Sequence, residues 1–138
     1  MEPVYDVLEK NHGKVIYFDF WARWCPPCLT EMEPLKQLRS KFSTNDLIIY
    51  SICVSEPKEQ WEECLNEYSL KNRGIECVHV TDYLGIDNYQ KIRKQWKIDR
   101  IPYYILINRK GQIIDFGATA RPSNPQLVSR IEDAVNSK

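Results

Sequence analysis

The apolar run Val15 to Trp21, interrupted only by Asp19, leads through a short loop into Trp24-Cys25-Pro26-Pro27-Cys28 and then into a helical pattern. The run reads as a buried central strand, so the two cysteines fall at a strand-to-helix junction. A Cys-x-x-Cys placed there is the arrangement from which a dithiol is oxidised to a disulfide and reduced again. One short segment therefore constrains both the fold and its candidate chemistry, reversible thiol-disulfide exchange.

The rest of the chain alternates strand and helix signals. Val4, Val7 and Leu8 suggest a short amphipathic helix ahead of the turn Asn11-His12-Gly13. Cys28, Met32, Leu35, Leu38 and Phe42 recur at steps of four, three, three and four, one stripe of a helix that starts at the cysteines. Leu47 to Val54 is a continuous apolar run suited to a strand buried on both faces. Ser55-Glu56-Pro57 caps the next helix, expected to reach Leu70 with Trp61, Leu65 and Tyr68 inward. Asn72 to Gly74 breaks the chain before a short strand, Ile75 to Val80. Asp82 to Asn88 is the least regular stretch, and Tyr89, Ile92, Arg93 and Trp96 resume helical spacing. After Ile101-Pro102 come a strand from Tyr103 to Ile107, the turn Asn108 to Gly111 and a strand from Gln112 to Phe116, a hairpin. Ser123 or Asn124 caps a last helix with Pro125 first and Leu127, Val128, Ile131 and Val135 on its apolar face. Neither a repeat nor a low-complexity linker interrupts the alternation, so residues 1–138 are expected to form one α/β domain.

Composition narrows the function classes. A chain of 138 residues buries roughly two-thirds of its unfolded surface and needs no staples to hold a core. Nineteen basic and nineteen acidic side chains cancel, so no net field draws the chain to nucleic acid or to an anionic membrane. No stretch approaches the ~20 apolar residues of a membrane span. Met1 to Lys14 lacks the charged-then-apolar layout of a signal peptide, which suits a whole cytosolic protein or one domain of a longer exported protein whose leader was removed. The five cysteines are an odd number, leaving at least one thiol unpaired within a monomer. Cys53, Cys64 and Cys77 are scattered in apolar surroundings and read as small buried hydrophobes.

Three segments, Phe18-Asp19-Phe20-Trp21-Ala22-Arg23-Trp24-Cys25-Pro26-Pro27-Cys28, Ile101-Pro102 opening a strand, and Ile105 to Ile114, occur in an order that resembles the thioredoxin-like superfamily. The likeness is narrower to its TlpA-like thiol-disulfide oxidoreductases, whose helix after the third strand looks like Glu59-Gln60-Trp61-Glu62-Glu63. The resemblance implies a central mixed β-sheet of four to five strands flanked by helices on both faces. It also implies a monomer that reduces protein disulfides with no cofactor beyond its cysteine pair, recharged by an upstream reductase or membrane electron donor. Its setting would be the periplasm or cell envelope; the three extra cysteines point instead towards the cytoplasm, since oxidising compartments disfavour free thiols. One departure stands out. The helix proline of the family sits five residues after the second cysteine, whereas Pro34 is six after Cys28.

Thiolate is the attacking species, and a helix N-terminus stabilises it. Cys25, preceding the helix, is expected to be the exposed nucleophile, and Cys28, on the buried stripe, the resolving thiol. Pro26 and Pro27 remove two N–H donors and stiffen the loop. Asp19, mid-strand, is expected to be a buried carboxyl of raised pKa that takes the proton of Cys28, directly or through a water, the role assigned to the matching aspartate of thioredoxins; the other reading is a solvent-facing edge residue. Glu31, three residues after Cys28, either tunes the cysteines as in TlpA-like proteins or is a solvated helix-face carboxylate. Pro102 cannot donate to a ladder. By resemblance it is a cis-proline opposite the cysteines, with the backbone of Ile101 pairing to bound substrate. Trp24 contributes exposed apolar surface for a polypeptide partner. Trp21, Trp61 and Trp96 read as packing residues, and His12 and His79 as structural. Tyr103 and Tyr104 alternate faces, so at most one borders the site.

Three other classes make different demands of the sequence. A zinc site would need Cys77 and His79 beside Cys25 and Cys28. A thiol peroxidase would need a Pro-x-x-x-Thr/Ser-x-x-Cys motif, and Ala22 stands where its Thr or Ser belongs. A non-enzymatic binding module would need none of Cys25, Cys28, Asp19 and Pro102.

Overall fold

A run as apolar as Val15–Trp21 is stable only where both its faces are covered, and β1, which it forms, is buried along its whole length. The computed structural model describes residues 9–55, 57–83 and 86–137. The helix expected at Val4 to Leu8 lies outside them. With β2 (Leu47–Cys53), β3 (Ile75–His79), β4 (Tyr103–Ile107) and β5 (Ile113–Phe116), β1 builds one sheet in the order β3-β2-β1-β4-β5. β1 runs parallel to β2 and antiparallel to β4. The sheet is therefore mixed, as expected.

Alternation along β1 sorts its side chains between two layers. Ile16, Phe18 and Phe20 pack with Tyr50, Tyr103, Ile105, and Tyr89 and Ile92 from a helix, Ile86–Gln95. On the opposite face Val15 and Tyr17 pack under Leu35 and Leu38 from the helix Met32–Ser40, and under Leu127 and Ile131 from the helix Pro125–Asn136. Trp21 continues that second face into a cluster with Cys25, Cys28, Met32, Cys53, Trp61 and Cys64. Each such large apolar side chain contributes roughly 1.5–3 kcal/mol on leaving water. Asp19 falls on the cysteine-bearing face, between Tyr17 and Trp21.

In chain order the helices of the described residues are α1 (Pro26–Thr30), α2 (Met32–Ser40), α3 (Lys58–Glu67), α4 (Val80–Tyr83), α5 (Ile86–Gln95) and α6 (Pro125–Asn136), with a 3-10 turn at Gly117–Ala120. The stripe from Cys28 to Phe42 is thus two helices, not one. Pro34 has no N–H for the carbonyl of Thr30, and its ring crowds that carbonyl, so the chain breaks at Glu31 (φ −84°, ψ −2°). α3 stops at Glu67, short of Leu70, because Ser69 takes φ 54° and Leu70 N–H turns back to the Leu65 carbonyl at 2.9 Å. Tyr68 is only half-buried in consequence. The stretch read as irregular, Asp82 to Asn88, is helical in α4 and at the start of α5, with residues 84–85 outside the described ones. Its Asp82, Asp87 and Asn88 carry no apolar stripe, which left the pattern silent. Asn124, not Ser123, caps α6 by accepting from Gln126 N–H at 3.1 Å.

Candidate active site

The loop from β1 to α1 is fixed before any chemistry is considered. Val54 N–H donates to the Trp21 carbonyl at 2.8 Å and Cys25 N–H to the Ala22 carbonyl at 3.2 Å. Arg23 N–H donates to Ser55 Oγ at 3.0 Å. Ser55 is in turn held through its carbonyl, which accepts from His79 Nε2 at 2.7 Å, while the other ring nitrogen lies 2.7 Å from Thr81 Oγ1. Of Ser55-Glu56-Pro57, which reads as the cap of α3, Pro57 takes the N-cap place; no local signal marks the contact that Ser55 makes across 32 residues.

Cys25 and Cys28 are joined by a disulfide, with Cα atoms 5.3 Å apart. Cys25 is the N-cap of α1, and its Sγ accepts Cys28 N–H at 3.3 Å. The exposed nucleophile expected at Cys25 is instead 4% accessible, against 2% for Cys28. The sulfur is drawn into the cluster of Trp21 and Met32, and the exposure expected of it passes to its neighbours: Trp24 is 69% accessible, and Pro26 and Pro27 are exposed.

Asp19 is 3% accessible and its Oδ1 has no hydrogen-bond partner among the described residues. Burial, and secondarily the charge of Glu31, push its carboxyl up to about 8. Strand register places Ser51, Asp19 and Tyr104 side by side across β2, β1 and β4, with Cys77 beyond Ser51 on β3. Ser51 Oγ is taken by Trp21 Nε1–H at 2.9 Å, and Tyr104 stacks on Tyr17 with ring centres 6.0 Å apart. The Tyr104 hydroxyl, like Asp19 Oδ1, is buried without a partner among the described residues. Tyr104 is thus the tyrosine on the cysteine-bearing face, and Tyr103 belongs to the other.

Glu31 sits at the break between α1 and α2, half-buried. Its Oε1 accepts Ser123 N–H at 2.8 Å and its Oε2 accepts the Ser123 hydroxyl at 2.7 Å. It is turned towards the loop before α6, and its charge acts on Asp19 from there. Ser123, 92 residues away, reads from the sequence only as a helix cap.

The Ile101–Pro102 peptide is cis. Ile101 packs against the cluster that holds both cysteines, so the segment before β4 is brought to the disulfide. Trp24 and Ile101 also share the wall of a groove of about 550 Å³ that continues onto Tyr89 and Arg93 of α5 and onto Ile98 to Arg100.

The remaining cysteines make other contacts. Cys53 Sγ lies 3.3 Å from Ser55 Oγ, and Cys77 Sγ 3.8 Å from the Leu70 carbonyl. Burial raises the Cys64 thiol and pushes that of Cys77 up to about 11. Cys77 and His79, the candidates for a shared zinc site, are engaged with Leu70, Ser55 and Thr81. Among the described residues no three His, Cys, Asp or Glu side chains gather to hold a metal.

Known proteins place this geometry. The Thiol-disulfide oxidoreductase ResA of Bacillus thuringiensis is 26% identical over 108 residues, 78% of this chain and 57% of its own length. The chain therefore spans little more than half of that relative. A solution structure of a putative thiol-disulfide oxidoreductase from Bacteroides vulgatus is 33% identical with a TM-score of 0.70, covering 91% of this chain and 76% of that one. The thioredoxin domain of a thiol-disulfide oxidoreductase from the same organism, 23% identical, superposes with a TM-score of 0.76 over 94% of this chain and 84% of its own. That likeness makes the fold thioredoxin-like. The family model described as Redoxin matches residues 4–135, nearly the whole chain, and the chain belongs to that family.

Proposed function

We propose that this chain is a thiol-disulfide oxidoreductase that reduces disulfides in protein substrates, using only Cys25 and Cys28 as its electron carrier. The observation that carries the reading is the bonded Cys25–Cys28 pair at the head of α1, packed against Ile101 and opening beside the groove lined by Trp24. The names of the relatives point the same way.

In the reduced chain the Cys25 thiolate, receiving Cys28 N–H at its sulfur, attacks one sulfur of a substrate disulfide. A mixed disulfide forms and the first substrate thiolate leaves. The Cys28 thiol then gives its proton to the Asp19 carboxylate and attacks Cys25 Sγ, forming the Cys25–Cys28 bond and releasing the second substrate thiolate. Two electrons have passed to the substrate, and an external dithiol donor restores the chain. Asp19 suits the transfer because burial raises its proton affinity into the range of a thiol leaving its proton near neutrality. Glu31 acts through Asp19, holding that affinity up by its charge. Trp24, Pro26 and Pro27 offer the exposed surface, and the Ile101 backbone beside Pro102 offers β-type pairing to an extended substrate. We place the protein in the cell envelope, as its resemblance to TlpA-like domains suggests, acting as a monomer with an upstream reductase or membrane donor. No described helix is long and apolar enough to cross a membrane.

Replacement of each cysteine tests the scheme. Cys25→Ser is expected to abolish reduction of a protein disulfide, and Cys28→Ser to accumulate a mixed disulfide visible by mass. Activity retained by Cys25→Ser would overturn it.

A further inference from the structure

The groove beside Trp24 is electrically lopsided. It carries two guanidinium groups, Arg93 and Arg100, against one carboxylate, Asp99. Asp99 lies 3.8 Å from Arg100, both well exposed. Arg93 differs from them. It is half-buried on α5, its Nε donates to the Ile98 carbonyl and its Nη1 to Gln90 Oε1, each at 3.3 Å, and its guanidinium carbon stands 5.9 Å from the centre of the buried Tyr89 ring. Every one of these partners is neutral. The side chain is therefore oriented while it forms no ion pair with a carboxylate among the described residues. The apolar floor is Val54 and Ile98, and the end nearest the disulfide is Trp24 and Ile101.

Resting on the thiol-disulfide reading above, we infer that this groove selects its substrate: it receives an extended polypeptide segment with an acidic side chain close to the reactive cysteine, and Arg93 is the counter-charge. A segment paired along the Ile101 backbone, with its disulfide at Cys25, passes Trp24 into this groove on the α5 side. Its apolar atoms cover Val54 and Ile98, and a carboxylate from it meets Arg93. A basic segment meets two guanidiniums instead.

Two peptide disulfides, identical except that glutamates flank the cysteine in one and lysines in the other, decide the matter. The pre-reduced chain is mixed with each, and the second-order rate constant of its own oxidation is followed; the products are two peptide thiols and the Cys25–Cys28 disulfide, so no other reductant takes part. At low ionic strength the acidic peptide is expected to react about fivefold faster, the scale of one partly exposed charge pair. Arg93→Glu is expected to reverse the order. On the unaltered chain, about 1 M salt, with a screening length of ~3 Å, is expected to bring the ratio close to one. Equal rates at low salt, or a preference for the acidic peptide that survives in Arg93→Glu or in high salt, would overturn the inference. Oxidation by neither peptide would overturn the thiol-disulfide reading along with it.

Discussion

Asp19 is the residue at which stability and chemistry meet. Its carboxyl, ordinarily near 3.8, is pushed up to about 8 by burial and by Glu31, so the folded chain binds a proton that the unfolded chain has already released. Between these values stability falls as pH rises, and the cost of burying the charge is complete only above about 8. Asp19→Asn removes the titration. By urea unfolding the variant should gain over its parent on the order of 4 kcal/mol more at pH 9 than at pH 5. It should also lose a rise in the rate of Cys28 resolution that the parent is expected to show as pH passes about 8. A constant difference across pH would mean that the carboxyl is not held in this state. Tyr104 offers a contrasting case. Its hydroxyl is buried without a partner among the described residues, so Tyr104→Phe removes an uncompensated polar atom and should leave unfolding free energy unchanged or raised by up to ~1 kcal/mol; a loss of several kcal/mol would contradict that environment.

Among the elements, those with a clear period were legible and those set by contacts distant in sequence were not. β1, β2 and β4 follow from apolar runs, and α6 from Asn124-Pro125 and its stripe. The break at Glu31 was written in Pro34, yet the stripe from Cys28 to Phe42 runs straight through it, because α2 continues on the same face after a one-residue interruption. α4 escaped notice because Val80, apolar and next to β3, reads as strand but opens a helix. Of the site, Cys25, Cys28 and Asp19 stood out as unusual residue types for their positions. Ser55 and Ser123 did not, since a serine beside a helix start looks like a cap, and only the folded chain brings them to Arg23 and Glu31. α6 itself is an ordinary packing element, with Ile131 fully buried over β1 and β4. Ile131→Ala should cost about 2–5 kcal/mol by denaturant unfolding without moving the redox potential of the cysteine pair. A shifted potential would show that α6 does more than pack.

At the scale of the whole molecule, the sheet order β3-β2-β1-β4-β5 carries β1 through the centre, and so delivers the end of its buried run to the loop that holds both cysteines. The parallel β2 brings Val54 and Ser55 to that loop, and the antiparallel β4 brings Ile101 and Pro102 from the other side. A disulfide, a raised carboxyl below it and a groove beside it are thus consequences of one topology. The five cysteines separate accordingly: two at the head of α1, and three whose sulfurs contact Ser55, Trp61's cluster or the Leu70 carbonyl. The most direct test is an equilibrium titration of the chain in dithiothreitol redox buffers, quenched by alkylation and read by mass at each cysteine. A single two-electron transition confined to Cys25 and Cys28 is the expected result, with Cys53, Cys64 and Cys77 as thiols throughout. A pair that does not titrate, or a transition that falls on the other three, would contradict the account.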